Sequence, residues 1–166
     1  MGNEPDVAFI QEYVGRHKIF RKWAFRGTPD IRVIVFNKIP VMAMLRLPTR
    51  ESGGRANLHQ GAIGVGVDIG TGVTTKAILE GEQITYKPGT ESKLRGIKVP
   101  MWTKVLDTAV NASIAAGLGY CGVDVVLHPD NGPMILELNA QPGLQIKMAN
   151  WLGLKRRLER VDELEV

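Results

Sequence analysis

Residues 122–139, with the sequence GVDVVLHPDNGPMILELN, contain two apolar segments separated by a cluster of turn-forming residues. In residues 123–128 and 134–139, apolar side chains occupy every second position and the polar side chains fall between them. Successive side chains of a β-strand point to opposite faces, so this alternation is typical of strands. Residues 129–133 supply the proline, asparagine and glycine that favour a tight turn. The stretch therefore predicts a β-hairpin.

Three oxygen-bearing side chains fall on one face of this predicted hairpin. Asp124 lies near the start of the first strand, and Glu137 and Asn139 lie near the end of the second, so antiparallel pairing brings the three together. Carboxylate and amide oxygens suit a hard cation such as Mg²⁺, which also keeps coordination positions for water and phosphate. The alternative is two acids and an amide on the solvated face of a sheet, with no ligand.

Two arginines occupy positions where the surrounding residues are apolar. Arg32 lies in 31–36 (IRVIVF) and Arg46 lies in 39–47 (IPVMAMLRL), two predicted strands joined by a tight turn at 37–38. A guanidinium in an apolar strand is costly unless it is paired. Bidentate contacts to phosphate would provide that pairing. A salt bridge to one of the chain's own acids would provide it equally well.

The order of these residues along the chain resembles the ATP-grasp ligases and, among them, the RimK-type and α-L-glutamate ligase-related proteins. The resemblance covers most of residues 7–150. It rests on Asp30–Arg32 (DIR), Arg55–Gly61 (RANLHQG), Asp124 with Glu137–Asn139 (ELN), and residues 141–144 (QPGL).

The resemblance implies an α+β fold, namely the carboxy-terminal lobe of an ATP-grasp fold, with a mostly antiparallel sheet and helices packed on one face. We expect residues 1–166 to form a single domain, with its core in residues 7–150. Residues 154–166 carry an apolar stripe at helical spacing and predict a surface helix suited to packing or to contacts within a homo-oligomer.

The resemblance also implies the roles of individual residues. Asp124, Glu137 and Asn139 would hold one or two Mg²⁺ or Mn²⁺ ions that bridge the triphosphate of ATP. Arg32 and Arg46 would stabilise charge on the transferring phosphoryl group, with Asn57 as a neutral donor. Backbone groups of a hinge strand would contact adenine, at Gln11, Glu12, Tyr13 and Val14. From the residues alone, this segment also fits an ordinary buried strand.

The reaction implied is carboxylate–amine ligation. ATP would phosphorylate a carboxylate, and an amine would attack the acyl-phosphate; the substrates would be a small carboxylate and amine or an acidic peptide, with glutamate suggested by the relatives. ATP-grasp enzymes hold the nucleotide between two lobes, and nothing before Val7 supplies the usual amino-terminal lobe. The sequence is therefore expected to be the carboxy-terminal half of a ligase, inactive alone.

Composition excludes several other classes of protein. Of the 166 residues, 44% are hydrophobic and 23% charged, which are ordinary values for a soluble domain. No apolar run approaches the ~18 residues of a membrane span, and the first residues have no signal-peptide pattern. One cysteine, Cys121, excludes an internal disulfide and favours a cytoplasmic location. The net charge of +4 is mild and favours an anionic ligand such as ATP.

The segment 16–26 interleaves basic and aromatic residues. Such a pattern favours either a nucleic-acid surface or a short helix or lid whose aromatic rings pack inward while the cationic ends stay in water. Nucleic acid is the less expected partner. A non-catalytic nucleotide- or partner-binding module is the other alternative to a ligase, and ADP release would separate the two.

The connecting segments carry weaker patterns. Residues 49–54 and 87–100 predict loops, the first of them mobile, and Pro100 predicts the start of a helix. The glycines of 61–72 lack the spacing of a dinucleotide-binding loop and predict strand edges where substrate passes close to the backbone. His59 has no visible partner in the sequence and is expected to be structural.

Overall fold

The computed structural model describes residue 10 and residues 12–164. Two 3₁₀ helices, Lys18–Lys22 and Leu58–Gln60, accompany the regular elements. The strands and α-helices are β1 (Asp30–Phe36), β2 (Ile39–Leu47), β3 (Ile63–Val67), β4 (Thr74–Leu79), β5 (Glu82–Ile84), α1 (Trp102–Ala115), β6 (Tyr120–His128), β7 (Gly132–Asn139), α2 (Gln145–Asn150) and α3 (Lys155–Asp162).

The strands form one sheet in the spatial order β5-β4-β3-β2-β1-β6-β7. Every neighbouring pair in it is antiparallel. The prediction of an α+β fold with a mostly antiparallel sheet is confirmed.

Helices cover both faces of this sheet, so the prediction of helices on one face only is wrong. The face that carries Val33 and Leu45 packs against α1. The opposite face, which carries Ile34 and Met42, packs against α2 and α3. Val33, Ile34 and Val35 are all buried, so the middle of β1 is apolar on both sides. Removing both sides from water requires a layer of helices on each.

The predicted hairpins β1–β2 and β6–β7 are present. Two hairpins, β1–β2 and β4–β5, turn through consecutive residues with positive φ. These residues are Asn37 and Lys38 (47° and 66°) between β1 and β2, and Glu80 and Gly81 (51° and 89°) between β4 and β5. Positive φ at both central residues is the mark of the type I′ turn, whose twist matches that of the flanking strands.

The hairpin of β6 and β7 contains a β-bulge. Asp124 pairs with Glu137, but the next residue of β6, Val125, pairs with Ile135. Leu136 is therefore the extra residue, and it is half exposed. A bulge re-aims the side chains next to it, and here it lies beside the predicted metal ligands.

The segment 49–54 is held by hydrogen bonds rather than being the mobile loop that was predicted. Thr49 and Ser52 are buried. Each donates its backbone N–H to the hydroxyl of the other at 3.0 Å. Thr49 Oγ1 also donates to the carbonyl of Gly61 at 2.6 Å. Glycine and polar residues suggested mobility, but the sequence does not show that two of the hydroxyls are buried.

The segment 87–100 forms no strand, as predicted, but it is fixed against β4. Thr74 of β4 donates its hydroxyl to the carbonyl of Leu94 at 2.7 Å and accepts the Ile97 N–H at 2.8 Å. Leu94 and Ile97 are buried at the sheet. The segment is thus an ordered edge of the sheet.

Two glycines of β3 allow protein segments, rather than substrate, to approach the sheet closely. A Cβ at Gly66 would lie 2.7 Å from the Ala149 carbonyl oxygen and 2.9 Å from Asn150 Oδ1, both in α2. A Cβ at Gly64 would lie 2.8 Å from a methyl carbon of Leu58. The predicted substrate passage at these glycines is therefore wrong, because α2 and Leu58 occupy the space.

The ends of the chain bear on two further predictions. Of the predicted hinge strand, residues 7–9 and 11 lie outside the described residues, and residues 12–14 form no strand. The predicted surface helix is present as α3, and residues 165–166 lie outside the described part. Within residues 10 and 12–164, no helix has the length and apolar character needed to cross a membrane.

Gly66→Ala is expected to lower the free energy of unfolding by roughly 1–3 kcal/mol, the usual cost of overpacking, because the new methyl group would displace α2 from β3. Gly153→Ala is the matched control, since a Cβ there has no neighbour within 4 Å. Urea denaturation followed by circular dichroism measures both. Equal stability of the two variants would contradict the close packing of α2 on β3.

Candidate functional site

Four charged side chains form a continuous network on the sheet face opposite α1. Arg32 pairs with Asp124 across β1 and β6, and Asp30 pairs with Arg46 across β1 and β2. Arg32 Nε donates to Asp124 Oδ1 at 2.7 Å, and its Nη2 donates to Oδ2 at 2.6 Å. Arg46 Nε donates to Asp30 Oδ1 at 2.5 Å, and its Nη2 donates to Asp124 Oδ2 at 2.6 Å. We call these four residues the charged row.

The charged row is largely withdrawn from water. Asp124 and Asp30 are only 2% and 4% exposed. Burial raises the pKa of Asp30 to about 7, against the opposing effect of the Arg46 guanidinium. Burial also disfavours the charged form of Arg46, but the Asp30 carboxylate outweighs it and holds the Arg46 pKa above its ordinary value. Of the two pairings that the sequence left open for the arginines, the internal salt bridge is the one present.

The charged row forms the floor of an open cavity of about 390 Å³. Glu137 and Asn139 lie at one side of this floor, and Leu136 lines the same cavity because of the bulge. A wall without carboxylate, lysine or arginine side chains faces them, formed by the second 3₁₀ helix and the start of α2; we call it the neutral wall. This wall contains Asn57, Leu58, His59, Gly143 and Gln145.

Local packing places the neutral wall over the sheet. Asn57 caps the second 3₁₀ helix by accepting the His59 N–H on its Oδ1 at 3.0 Å. A Cβ at Gly122 would lie 2.6 Å from Pro142, so the glycine allows the turn before α2 to lie directly on β6. Gln145 Nε2 then approaches His59 Nδ1 at 3.4 Å. The wall is therefore assembled from two segments that meet only in the folded chain.

The predicted metal ligands line the same cavity, and their donor atoms fit Mg²⁺ or Mn²⁺. Asp124 faces Glu137 in the β6–β7 pairing, and Asn139 faces Gly122 two positions on. Across residues 10 and 12–164, no three His, Cys, Asp or Glu side chains lie close enough together to hold a metal ion. The predicted set therefore depends on its amide as well as on its two carboxylates. Mg²⁺ is commonly bound by one or two carboxylates together with substrate phosphates, which is the role this set suits.

Asp124 is the constrained member of that set. Its two oxygens already accept three hydrogen bonds from the arginines, out of about four that an ionised carboxylate accepts. Glu137 is exposed and has no ion pair within the described residues. A cation would therefore meet Glu137 and Asn139 directly, and would have to share Asp124 with Arg32 and Arg46.

The described residues of the predicted adenine hinge are not brought into this cavity. Gln11 lies outside the described residues, and Glu12 and Tyr13 are exposed. The carbonyl of Val14 accepts a hydrogen bond from the hydroxyl of Thr28 at 2.6 Å. None of these hinge residues lines the cavity in the described part of the chain, and their role stays a prediction.

Sequence reasoning assigned no role to three residues of the site. Asp30 was noticed only as part of a motif, although its carboxylate fixes Arg46. His59 was expected to be structural, yet it lines the cavity beside Gln145. The presence of Asp30 and His59 in the segments that resemble a ligase was the available signal. Gln145 follows the last of these segments and carried none.

Comparisons with known proteins place the chain among ATP-grasp sequences. A family model described as "Sugar-transfer associated ATP-grasp" matches residues 1–163. A probable alpha-L-glutamate ligase of Saccharophagus degradans is 33% identical over 145 residues, which are 87% of this chain and 34% of that protein. Another, of Maridesulfovibrio salexigens, is 30% identical over 116 residues, which are 70% of this chain and 27% of that protein. The chain thus spans between about a quarter and a third of the length of these curated relatives.

Among solved structures, the ATP-grasp ligase PsnB, complexed with minimal precursor, Mg and ADP, aligns with 84% of this chain and 34% of its own. The sequence identity is 17% and the TM-score is 0.46.

Asp124→Ala is expected to destabilise the chain by about 3–5 kcal/mol, because it leaves the largely buried Arg32 without its partner and removes one of the two carboxylates that hold Arg46. Glu137→Ala removes an exposed carboxylate and is expected to change the free energy of unfolding by less than about 0.5 kcal/mol. Chemical denaturation of both variants measures the difference. An Asp124→Ala variant as stable as Glu137→Ala would contradict the ion-pair network.

The raised pKa of Asp30 predicts a pH dependence of stability. The folded state binds a proton that the unfolded state, with an ordinary pKa of 3.8, has released. This contribution is fully present below pH 3.8 and is lost as the pH rises through about 7.

Asp30→Asn should remove this loss of stability at rising pH, while keeping a neutral acceptor for Arg46. Melting temperatures between pH 5.5 and 8 should therefore fall less in Asp30→Asn than in the unaltered chain. Asp107→Asn, at an exposed position of α1, should follow the unaltered chain. Identical pH profiles for all three proteins would rule out titration of Asp30 in this range.

Proposed function

The chain belongs to the sugar-transfer associated ATP-grasp family, and on that premise we propose that it is the phosphate- and metal-binding lobe of an ATP-dependent carboxylate–amine ligase. The resemblance to ATP-grasp ligases that the sequence carries is confirmed at the level of the family. The observation that supports the proposal most strongly is that one cavity brings together the predicted phosphate-binding arginines and the predicted metal ligands, at Arg32, Arg46, Asp124, Glu137 and Asn139.

In the proposed reaction, a carboxylate oxygen attacks the γ-phosphorus of ATP, forming a C–O–P bond while the bond from that phosphorus to ADP breaks. An amine then attacks the acyl-phosphate carbon, an amide bond forms, inorganic phosphate leaves with the electrons of the C–O bond, and the attacking nitrogen releases a proton to solvent. This chain needs no nucleophilic side chain for either step. Its contribution is to position and stabilise negative charge.

Arg32 and Arg46 would make that contribution by exchanging partners. Both guanidiniums point into the cavity from neighbouring strands and are held by carboxylates. A triphosphate offers the same bidentate acceptor geometry as a carboxylate. When phosphate oxygens bind the arginines, Asp124 is released toward the cavity. Asn57 would add a neutral hydrogen-bond donor from the opposite wall.

The residues that would hold Mg²⁺ or Mn²⁺ are Asp124, Glu137 and Asn139. When bound, the ion would neutralise charge on the β- and γ-phosphates. Glu137 is exposed to the cavity and Asn139 is half-buried, so both are accessible to a ligand without rearrangement. Asp124 becomes accessible only as its arginines turn to phosphate. On this proposal, the nucleotide and the cation bind together.

The wider assignments are part of the same proposal. The chain would be the carboxy-terminal lobe, with ATP contacted by Gln11–Val14 and completed by a second lobe, and it would have little activity alone. Similarity to proteins named probable alpha-L-glutamate ligases supports glutamate as a substrate, and the use of ATP supports a cytoplasmic setting. Small carboxylate and amine substrates or an acidic peptide fit the open cavity equally well.

Calorimetric titration of the chain with ADP, with and without Mg²⁺, tests the proposal. Mg²⁺ is expected to strengthen ADP binding in the unaltered chain, and Glu137→Ala should weaken binding in Mg²⁺ by roughly tenfold, which corresponds to about 1.4 kcal/mol. Glu163→Ala, at an exposed position after α3, should bind as the unaltered chain does. Mg²⁺-dependent binding that is equal in both variants would contradict the metal assignment, and absence of ADP binding would contradict the proposed function.

A further inference from the structure

Two basic segments, residues 16–26 and residues 87–98, pack together on the α1 face of the sheet, away from the cavity. The indole Nε1 of Trp23 donates to the carbonyl of Lys93, 70 residues away, at 2.9 Å. The ammonium of Lys87 donates to the carbonyl of Lys22 at 3.2 Å. Between the two segments lies an open groove of about 430 Å³, which we call the basic groove.

One wall of the basic groove is an ordered row of cations. Leu94, Ile97 and Val99 are buried in the core, and the residues between them project outward. Hydrogen bonds to Thr74 and Gly72 fix the backbone of this segment. The outward residues that line the groove include Lys93, Arg95 and Lys98, all of them exposed.

The positive charge of the groove is not neutralised within the described residues. Lys22 joins the three cations of that row, and Glu91 is the single acidic residue of the lining. Across residues 10 and 12–164, no ion pair involves any of these cations. Lys98 donates to the carbonyl of Thr71, which satisfies a donor but leaves the charge. The groove therefore carries four cations against one carboxylate in a chain whose net charge is +4.

We propose that the basic groove binds an acidic peptide segment. Its floor is apolar, with Ile19 and Trp23 partly buried against the core and Ile97 buried, and its rim carries the ammonium and guanidinium groups. A glutamate side chain matches this arrangement, because its methylene groups can lie on the floor while the carboxylate reaches the rim. A run of such side chains would neutralise several cations at once.

The same contacts disfavour nucleic acid. Single-stranded nucleic acid is held by bases that stack on exposed aromatic rings. The Trp23 ring is half-buried, Lys22 Nζ lies 5.6 Å from its centroid, and its N–H is already bonded to Lys93. The aromatic residue of the groove is thus already engaged by its neighbours and is poorly placed to receive a base.

A membrane surface is disfavoured for a different reason. Apolar side chains that insert into a bilayer must protrude beside the cations. In the described residues, the large apolar side chains of the groove are buried or partly buried. An anionic bilayer would meet only charges around a concave surface.

The proposal is independent of the ligase assignment. Trp23, Leu94 and Val99 belong to the core cluster on the α1 side of the sheet, whereas the cavity lies on the opposite side with Met44 and Leu58. The basic groove and the cavity above the charged row therefore occupy opposite faces of the sheet. Failure of one assignment leaves the other standing.

Binding of a labelled decaglutamate peptide to the unaltered chain, measured by fluorescence anisotropy, tests the proposal for the basic groove. The double variant Lys93→Glu, Arg95→Glu should weaken binding at least tenfold. The matched control Arg156→Glu, Arg160→Glu changes the net charge equally at exposed positions of α3 and should bind within twofold of the unaltered chain. Lys93→Gln, Arg95→Gln is a milder second variant that should lie between them.

Several outcomes would overturn the proposal. No binding of the peptide at low salt, or equal weakening in the groove and α3 variants, would show that no site exists there. Tighter binding of a ten-nucleotide single-stranded DNA would favour nucleic acid, and tighter binding of phosphatidylserine vesicles would favour a membrane. Competition by ADP for the peptide would place the peptide in the cavity instead.

Discussion

The carboxylate of Asp124, shared by two arginines, is the interaction on which the site depends. It is buried on β6, next to the edge strand β7, and its oxygens accept hydrogen bonds from Arg32 and Arg46 at 2.6–2.7 Å. Buried charges are tolerated only when they are paired and hydrogen-bonded. Asp30 completes the arrangement by holding the second arginine. Without these contacts, the cationic side chains that face the cavity would have no fixed direction.

Strand register makes this arrangement possible, and it links folding to the proposed chemistry. Asp30 and Arg32 lie two residues apart on β1 and so share a face, while their partners come from β2 and β6 on either side. The pairing neutralises the site in the absence of ligand. On the proposed function, a triphosphate and a divalent cation would together replace this pairing, because the phosphates would bind the arginines and the cation would bind the carboxylate.

Local patterns predicted the strands and hairpins, because a period of two and turn residues are visible in short windows of sequence. They did not predict which partner the arginines would take, since Arg32 and Asp124 lie 92 residues apart. The contact of His59 with Gln145 was out of reach for the same reason. The sequence predicted a loop at 87–100 but not its fixed backbone, because that backbone is held by scattered hydrogen bonds to Thr74 and Gly72, which leave no periodic signal.

The most direct measurement is a crystal structure of the chain with ADP and Mn²⁺, in which anomalous scattering locates the metal. We expect one or two Mn²⁺ ions bound by oxygens of Asp124, Glu137 and Asn139, with Arg32 and Arg46 turned to phosphate oxygens. Nucleotide bound beside unchanged Arg32–Asp124 and Arg46–Asp30 pairs, with no metal on the β6–β7 hairpin, would contradict this expectation.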